Sequence, residues 1–311
     1  MTFCSSVHVI EQVGAKPILV DVEPDTLNID PNRIEDILKL ATRNSKIEIK
    51  AVLPVHLYGH PCDMDSIMAL ARKYNLRVIE DAAHALPTKC NRHFIGTIGD
   101  LTAFSFYSTK NITTAEGGML TGKSELMERA RLWSLHGMSR DAWRRYDDDG
   151  SWYYEVIQPG FKYNMPDIAA AIGIQQLKKL PKFQTRRREI VQRYNEAFLK
   201  FEELQIPIER PQVEHAWHLY VIRLNFDLLR ISRNQFIEEL KARNIGTSVH
   251  FIPIHLHPYY RDKYGFKPDD FPVAYREYQR IISLPLYPKM TDQDVEDVIE
   301  TVINVIQRFR R

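Results

Sequence analysis

The sequence predicts an α/β fold with a mostly parallel sheet covered by helices on both faces, followed by a smaller C-terminal α+β domain. Two observations support this prediction. Over the first two thirds of the chain, short apolar runs rich in β-formers alternate with stretches of helical periodicity, a rhythm typical of parallel sheets. After about residue 190 the order of strands and helices changes, so we predict domains at residues 1–190 and 191–311.

The composition is that of an ordinary globular chain. Its 311 residues are 44% hydrophobic and 26% charged, with a net charge of +2, and they suffice for two sizeable cores. This balance does not point to nucleic acid or an anionic membrane as a partner. The three cysteines are scattered, and we find neither an apolar run of membrane-spanning length nor a signal-peptide pattern. We therefore expect a cytoplasmic protein.

The chain opens with alternating strands and helices. Residues 17–22 (PILVDV) and 49–56 (IKAVLPVH) predict two strands, and Pro31 begins the helix between them. We expect that helix to bury Ile34, Ile37 and Leu38. After a turn at residues 59–61, Asp63 begins a second helix. Its apolar positions have helical spacing: Ile67, Leu70, Ala71 and Tyr74.

The next segments continue the pattern. Residues 76–80, 101–106 and 118–121 predict three strands, and Ser124 is the expected cap of the helix that follows. That helix carries Leu126, Ala130 and Trp133 on one stripe. Residues 140–158 are dense in charges and aromatic side chains without a helical stripe, which is typical of a mobile lid or a solvated loop.

Two helices are predicted to begin before the domain boundary, and the second leads out of the first domain. The first begins after Asn164 and is expected to bury Ile168, Ala171 and Ile172. The second is expected to begin after Pro181, with Arg186 to Arg188 on its solvated face.

The C-terminal third predicts a compact α+β unit. Residues 218–225 and 247–251 predict strands. The helix between them is capped by Ser232 with Gln235 and closed at Gly246, and the final helix begins at Thr291. That last helix buries a single stripe formed by Val295, Val298, Ile299, Val302 and Ile306.

Three residues cluster at the predicted carboxyl ends of the parallel strands, where such sheets bind ligands. Asp81 ends the third strand, His84 lies just beyond it, and Lys110 follows the fourth strand. A lysine against apolar walls has a lowered pKa, and its neutral amine can form a Schiff base with an aldehyde. A carboxylate can pair with a pyridine nitrogen, and an imidazole can contact the ring. The set therefore matches what pyridoxal phosphate requires of a protein.

Each of these residues also has a structural interpretation. Lys110 could be a surface lysine in a polar turn, Asp81 a turn former or helix cap, and His84 a solvated side chain. We expect a packing or turn role for His56, which ends the second strand. His250, His255 and His257 lack metal-ligand spacing and carboxylate or cysteine partners, so we predict no metal site and expect contact with substrate or a partner subunit.

Several long motifs resemble the DegT/StrS family of nucleotide-sugar aminotransferases, which use pyridoxal phosphate. They are VLPVHLYGHPCDMDSI, VIEDAAHA, FSFYSTKNITTAEGG, GFKYNMPDIAAAIGIQQLKKL, HAWHLYVIRL and IGTSVHFIPIHLHPYY. The similarity covers essentially the whole chain. Within the family, the sequence most resembles the enzymes that aminate C4 of UDP-linked keto-sugars. The resemblance implies the fold type I architecture of pyridoxal-phosphate enzymes, with its large domain at residues 1–190.

The resemblance assigns the catalytic group. It implies that Lys110 forms the Schiff base with the cofactor and moves a proton between the substrate carbon and the cofactor. Asp81 would keep the pyridine nitrogen protonated, so that the ring can act as an electron sink. His84 lies where the family has a glutamine or histidine beside the cofactor.

The resemblance also supplies three further contacts. Phe3 would stack on the cofactor ring, and Ser105 would donate a hydrogen bond to the cofactor phosphate. Asn164 would reach that phosphate from the neighbouring subunit, so the active site would be shared in a homodimer. Phe3 and Ser105 could instead be packing residues, and Asn164 is also a candidate N-cap.

The sequence departs from the family pattern at its beginning. In the family, the segment matching MTFCSSVHVIEQ is internal and follows a loop whose backbone N–H groups hold the cofactor phosphate. We therefore expect Met1 to be an internal methionine. We also expect the chain by itself to bind pyridoxal phosphate more weakly than an extended form.

The function expected from the sequence is a transaminase that moves an amino group from an amino acid, glutamate being the expected donor, to a keto-sugar nucleotide. Its pathway would be polysaccharide, lipid A or deoxyamino-sugar biosynthesis. One alternative is a non-catalytic binding or regulatory homologue. Another is a dehydratase of the same family. Those enzymes resemble this fold but carry histidine at the position of Lys110, so Lys110 argues against this alternative.

Overall fold

The main sheet has four strands in the order β1, β2, β5, β6. In the computed structural model, which describes residues 1–43, 48–139 and 153–311, these strands are Ala51–Val52, Arg77–Asp81, Leu101–Ser105 and Gly118–Gly122. The first three run parallel, and β6 lies antiparallel to β5. This mixed, mostly parallel sheet confirms the predicted α/β class.

Two amphipathic helices bury their apolar stripes against this sheet. They are α2 (Pro31–Arg43) and α3 (Met64–Tyr74), and α3 is capped by Asp63, whose carboxylate accepts from the Ser66 backbone N–H at 3.1 Å. Ile67 and Val78 are fully buried where α3 meets β2. The core of this part therefore forms beneath β2, the strand that ends at Asp81.

The C-terminal part is built on a second, antiparallel sheet. Its strands are β7 (Leu204–Gln205), β9 (Tyr220–Leu224) and β10 (Ile281–Leu284), in the order β10, β9, β7. Helices α5 (Asp167–Phe198), α6 (Arg233–Lys241) and α9 (Asp292–Phe309) share its largest hydrophobic core. Capping boxes start α6 at Ser232 and α9 at Thr291, and the predicted α9 stripe is buried.

Shorter elements complete the described chain. Helix α1 spans Ser5–Gln12, α4 spans Ser124–Ser134, α7 spans Pro258–Tyr264 and α8 spans Pro272–Arg280. A third, antiparallel sheet joins β4 (His93–Phe94), β3 (Lys89–Cys90) and β8 (Val213–Glu214). No helix in the described residues is both long enough and apolar enough to cross a membrane.

Several predicted strands are shorter than expected. Residues 17–22 form no strand, since only Val22 makes an isolated bridge, to Ile29. The predicted strand at 49–56 contracts to β1 plus one bridge at Val55, and residues 247–251 contribute only the bridge of Ser248 to β10. Local β-propensity does not supply a pairing partner, and a strand needs one.

Helix ends account for a second group of differences. Ser124 is the first residue of α4 and does not cap it, and that helix has no fully buried residue. Helix α6 ends at Lys241, before the predicted stop at Gly246. The predicted Asn164 cap is also wrong, because α5 begins at Asp167 with Pro166 at the N-cap position.

The largest correction concerns α5. Pro181 does not start a second helix, because α5 continues through it to Phe198. Ile168 and Ile172, expected to be buried, are 80% and 44% exposed, and Ala171 is exposed as well. Arg187, expected on a solvated face, is buried instead. The N-terminal half of α5 thus presents apolar side chains outward.

Candidate active site

The carboxyl ends of two adjacent parallel strands place two of the predicted residues. Asp81 is the last residue of β2 and pairs in register with Ala103 of β5, and Ser105 is the last residue of β5. The backbone carbonyl of Asp81 also accepts from the His56 N–H at 3.0 Å. Asp81 and Ser105 therefore lie at one edge of the sheet, where the topology predicts a ligand site.

Lys110 follows β5 in a tight turn, in which its backbone N–H donates to the Tyr107 carbonyl at 2.9 Å. The adjacent Asn111 anchors this turn, because its Nδ2 donates to the Leu86 and Ala216 carbonyls at 2.8 and 2.9 Å. Lys110 is half-buried, and burial lowers the pKa of its ammonium below 10.5, although the charge of Asp81 opposes the shift. A nucleophilic amine is thereby favoured.

The Asp81 carboxylate is held by one donor on each oxygen. The Ser6 hydroxyl donates to Oδ2 at 2.6 Å, and the Ala83 backbone N–H donates to Oδ1 at 3.0 Å. A carboxylate has about four lone-pair positions, so these two bonds leave acceptor capacity for a further donor. Ser6 belongs to the first turn of α1, whose N-terminal end favours a negative charge.

His84 is buried, and its hydrogen bonds fix its tautomer. Its Nδ1 accepts from the Tyr58 backbone N–H at 3.2 Å, so Nε2 carries the proton of the neutral ring. Burial lowers its pKa well below 6.5, and the charges of Lys110 and His250 lower it further. His84 is therefore a neutral N–H donor next to the lysine.

His218 packs against His84 with the opposite tautomer, and the two ring centroids are 4.3 Å apart. Since Asn111 Nδ2 faces two carbonyls, its Oδ1 faces His218 Nδ1 at 3.0 Å and accepts the proton from it. Nε2 of His218 then carries no proton and can accept a hydrogen bond. Burial, followed by the charges of His84 and Lys110, lowers the His218 pKa well below 6.5.

A line of rings connects His84 to Phe3. Phe251 lies 5.8 Å from the His84 ring and 5.7 Å from the Phe3 ring, centroid to centroid. Phe3 itself is 57% exposed, so one side of its ring is available to a planar ligand. The N-terminal and C-terminal parts of the chain thus both contribute rings to this site.

Ser105 and Asn164 were both predicted to bind the cofactor phosphate, and their present hydrogen bonds differ. The Ser105 hydroxyl oxygen accepts from the Tyr107 N–H at 3.3 Å, which leaves the hydroxyl proton free to donate. Asn164 Oδ1 accepts from Lys162, and no other side-chain bond of Asn164 occurs among the described residues. Its neighbour Met165 packs within the cluster of Phe106 beside the lysine turn.

Two of the three C-terminal histidines singled out in the sequence, His250 and His255, pack against residues of this chain. His250 Nδ1 lies 2.8 Å from the Ser283 hydroxyl, and the His250 carbonyl accepts from the Tyr58 hydroxyl. His255 is buried beside Phe271. The described residues contain no group of three metal ligands.

His56 has the packing role expected for it. It is fully buried, its Nδ1 accepts from the Cys62 N–H at 3.0 Å, and its Nε2 therefore donates to Glu80 at 2.8 Å. Glu80 accepts two more bonds, from the Gly99 N–H and the Thr102 hydroxyl. This network stiffens β2 immediately before Asp81.

Sequence reasoning missed several residues that hold the site together, namely Ser6, Tyr58, Asn111, His218 and Phe251. Their signal was weak because each acts through contacts far apart in sequence. Tyr58, for example, has a φ of +59° and reaches both His84 and His250. A bulky residue at positive φ requires surrounding structure to hold it, and no local pattern reveals that. The segment 140–158, predicted to be a mobile lid or a solvated loop, lies mostly in 140–152, outside the described residues.

The comparisons with known proteins agree with this geometry. Residues 1–303 match the DegT/DnrJ/EryC1/StrS aminotransferase family. The chain belongs to this family. It is 50% identical over 309 residues to the spore coat polysaccharide biosynthesis protein SpsC of Bacillus subtilis, covering 99% of this chain and 78% of SpsC. The activity of the family is amino-group transfer, so this chain is a transaminase.

Solved structures resemble the whole fold. Spr1654 of Streptococcus pneumoniae, assigned as a sugar aminotransferase, superposes in its PMP form with a TM-score of 0.87 at 33% identity, covering 99% of this chain and 80% of Spr1654. Its PLP form gives a TM-score of 0.85. PseC of Helicobacter pylori, an aminotransferase of pseudoaminic acid biosynthesis, gives 0.88 at 26% identity, covering 99% and 78%.

The residues of this site fit pyridoxal phosphate. Asp81 retains acceptor capacity for a pyridinium N–H, and Nε2 of His84 is a donor without a partner among the described residues. Lys110 has a depressed pKa, as an amine that attacks an aldehyde requires. Ser105 offers a hydroxyl proton for a phosphate oxygen. The chemistry of Lys110, Asp81 and His84 is thus compatible with this cofactor.

Proposed function

We propose that this chain is a pyridoxal-phosphate-dependent sugar aminotransferase that transfers an amino group from an amino acid to a keto-sugar nucleotide. One observation carries the proposal. Lys110 is half-buried with its pKa lowered by burial, and it interacts electrostatically with the oriented carboxylate of Asp81 and with the neutral imidazole of His84. A merely structural lysine would need neither of these partners in that arrangement.

Each side chain has a distinct role in this proposal. Lys110 Nζ would hold the cofactor covalently and, when released, would carry a proton to and from the substrate carbon. Asp81 would keep the pyridine nitrogen protonated, and His84 and Phe3 would contact the ring. Ser105 binds the phosphate. When bound, pyridoxal phosphate supplies the aldehyde that takes up the amino group and a ring that accepts electrons.

The names of two relatives support the proposed substrate class. SpsC is named for polysaccharide biosynthesis and PseC for pseudoaminic acid biosynthesis, so both belong to the formation of sugars. We assign glutamate as the amino donor and a UDP-linked keto-sugar, aminated at C4, as the acceptor. The product would enter surface polysaccharide or lipid A synthesis. Cys4, Cys62 and Cys90 are free thiols, which fits the cytoplasm as the compartment.

The proposed active unit is a homodimer. The N-terminal half of α5 exposes four large apolar side chains, which are Ile168, Ile172, Ile174 and Leu177. An apolar surface of this kind marks an interface. Because α5 begins just after Asn164 and close to the lysine turn, a partner docked on this face would bring its own Asn164 towards the phosphate of the first subunit.

The acceptor is tested by two separate half-reactions. The enzyme with its cofactor is first incubated with glutamate, so that it takes up the amino group. It is then freed of excess amino acid and mixed with a UDP-linked 4-keto-sugar. We expect 2-oxoglutarate in the first step and a UDP-linked 4-amino-sugar, identified by mass spectrometry, in the second. Lys110→Ala should produce neither. Release of 2-oxoglutarate with no amination of any nucleotide-linked keto-sugar would refute the proposed acceptor.

The shared site is tested by mixing two inactive variants, Lys110→Ala and Asn164→Ala. If Asn164 acts across the interface, a mixed dimer contains one intact site and one doubly defective site. Random mixing then restores about a quarter of the wild-type sites. No recovery on mixing, with dimers confirmed by light scattering, would show that Asn164 does not act in the partner's site. A dimer weakened by Ile168→Glu would support the proposed interface.

A further inference from the structure

A chain of three side chains runs from the N-terminal segment to the sheet edge. The hydroxyl of Thr2 lies 2.8 Å from the hydroxyl of Ser6, and Ser6 donates to Asp81 Oδ2 at 2.6 Å. A serine hydroxyl has only one proton, and Ser6 uses it on the carboxylate. Thr2 is therefore the donor to Ser6, and all the bonds in the chain point towards Asp81.

This chain is sheltered from water. Ser6 is 6% exposed, so water cannot readily replace Asp81 as the acceptor of its hydroxyl proton. A bond from a hydroxyl to a carboxylate is short and strong because one partner is charged, and 2.6 Å lies within that class. The other oxygen of Asp81 is fixed by the Ala83 backbone N–H, which no substitution of a side chain removes. Within residues 1–43, 48–139 and 153–311, Ser6 is thus the single side chain that hydrogen-bonds to the Asp81 carboxylate.

Helix α1, which carries Ser6, is itself anchored on the C-terminal part. Glu11, near the other end of α1, accepts hydrogen bonds from Tyr259 and Tyr264 and pairs with Lys263, whose Nζ lies 2.8 Å away. These three donors belong to α7, and they fix the position of α1. The hydroxyl of Ser6 is therefore presented to Asp81 by a helix whose other end is anchored on α7.

We propose that Ser6 is a positioning residue for the cofactor, because its hydroxyl fixes the Asp81 carboxylate so that a free lone pair faces the pyridine nitrogen. Ser6 does not touch the reacting atoms and acts only through Asp81. Without its hydroxyl, the carboxylate can rotate about the one bond from Ala83, and the bond to the pyridinium N–H weakens. This inference rests on the proposed function only as far as the cofactor, and not on the sugar or the amino donor.

The test uses the full chain with pyridoxal phosphate labelled with 15N in the ring, without any substrate. The 15N chemical shift reports whether the pyridine nitrogen is protonated, and fluorescence titration gives the cofactor dissociation constant. A lost bond to a charged group corresponds to roughly a tenfold to hundredfold effect. We expect Ser6→Ala to weaken cofactor binding about tenfold and to move the 15N signal towards that of the unprotonated ring.

Conservative and matched variants separate positioning from folding. Ser6→Thr retains a hydroxyl and should restore both readouts, while Ser6→Cys fills the same space with a weak donor and should give an intermediate signal. Ser5→Ala removes an exposed hydroxyl of the same helix and should match wild type. If Ser6→Ala fails to fold, the comparison of Ser6→Cys with Ser6→Thr still decides the question.

Two negative outcomes have different meanings. A wild-type 15N signal and affinity in Ser6→Ala or Ser6→Cys would overturn the role of Ser6 and leave the proposed function intact. If the wild-type chain itself formed no Lys110-dependent complex with the cofactor, the proposed function would fail, and the role of Ser6 with it. If Ser6→Thr showed the same loss as Ser6→Ala, packing rather than the hydroxyl would be responsible, and the inference would again be wrong.

Discussion

Replacement of Thr102 by valine tests the buried network beneath the active site. The Thr102 hydroxyl donates to Glu80 Oε1 at 2.7 Å, and both side chains are inaccessible to solvent. Valine has the same shape but cannot donate, so the carboxylate keeps only its bonds from His56 and Gly99. A bond to a charged group contributes about 1.5–3 kcal/mol. We expect a loss of about 2 kcal/mol in the free energy of unfolding, or about 30-fold in the equilibrium constant.

The assay is urea unfolding followed by tryptophan fluorescence, at pH 7 and at lower pH. Thr102→Ser retains the hydroxyl and should lose only the contribution of the methyl group, about 1 kcal/mol. Despite its burial, the pKa of Glu80 lies below 4.5 because His56 and Thr102 donate to it. Its stabilising effect is therefore present above pH 4.5 and is lost as pH falls through the folded-state pKa. A Thr102→Val variant within 0.5 kcal/mol of wild type at pH 7 would refute this reasoning.

Three further predictions concern the same framework. Gly118→Ala should destabilise the chain by about 1–3 kcal/mol, because a Cβ there would lie 2.6 Å from the Phe104 carbonyl oxygen; an unchanged urea midpoint would contradict this. Asn111→Ala should lower the free energy of unfolding by about 2–4 kcal/mol, since two buried carbonyls lose their donor, whereas Asn111→Asp should rescue little. Burial lowers the pKa of His60 from 6.5 to about 4, so the unfolded chain binds more protons between those values, and stability should fall as pH drops through this window. His60→Gln should flatten that dependence in a series of urea midpoints.

The elements predicted from sequence with most success are those whose signals are local. The start of α3 at Asp63, the capping box of α6, the start of α9 at Thr291 and the apolar stripe of α9 all depend on residues within a few turns of one another. The position of Asp81 at the end of β2 and that of Lys110 in the turn after β5 were also predictable, because parallel strands align their carboxyl ends at one edge.

The errors arise where a local pattern has two physical outcomes. An apolar stripe such as Ile168 with Ile172 looks the same whether it faces its own core or an open surface. A run of three arginines suggests solvent, yet consecutive helical residues point about 100° apart, so Arg187 alone turns inward. There its guanidinium donates to the Trp217 and Leu286 carbonyls at 3.0 and 2.9 Å.

The bonds within the site were beyond sequence reasoning for a related reason. Ser6 reaches Asp81 across 75 positions of the chain, and Asn111 reaches His218 across 107. Serine and asparagine are common in turns and caps, so their types alone do not reveal such partners. Only the fold brings them within hydrogen-bond distance, and there they fix a carboxylate and a tautomer.

The most direct test of the central claim is the absorption spectrum of the chain mixed with pyridoxal phosphate, recorded beside Lys110→Ala, before and after addition of glutamate. The account predicts a visible band that requires Lys110 and is bleached by glutamate. A spectrum identical in the two proteins would contradict it, because Lys110 would then not be the residue that holds the cofactor.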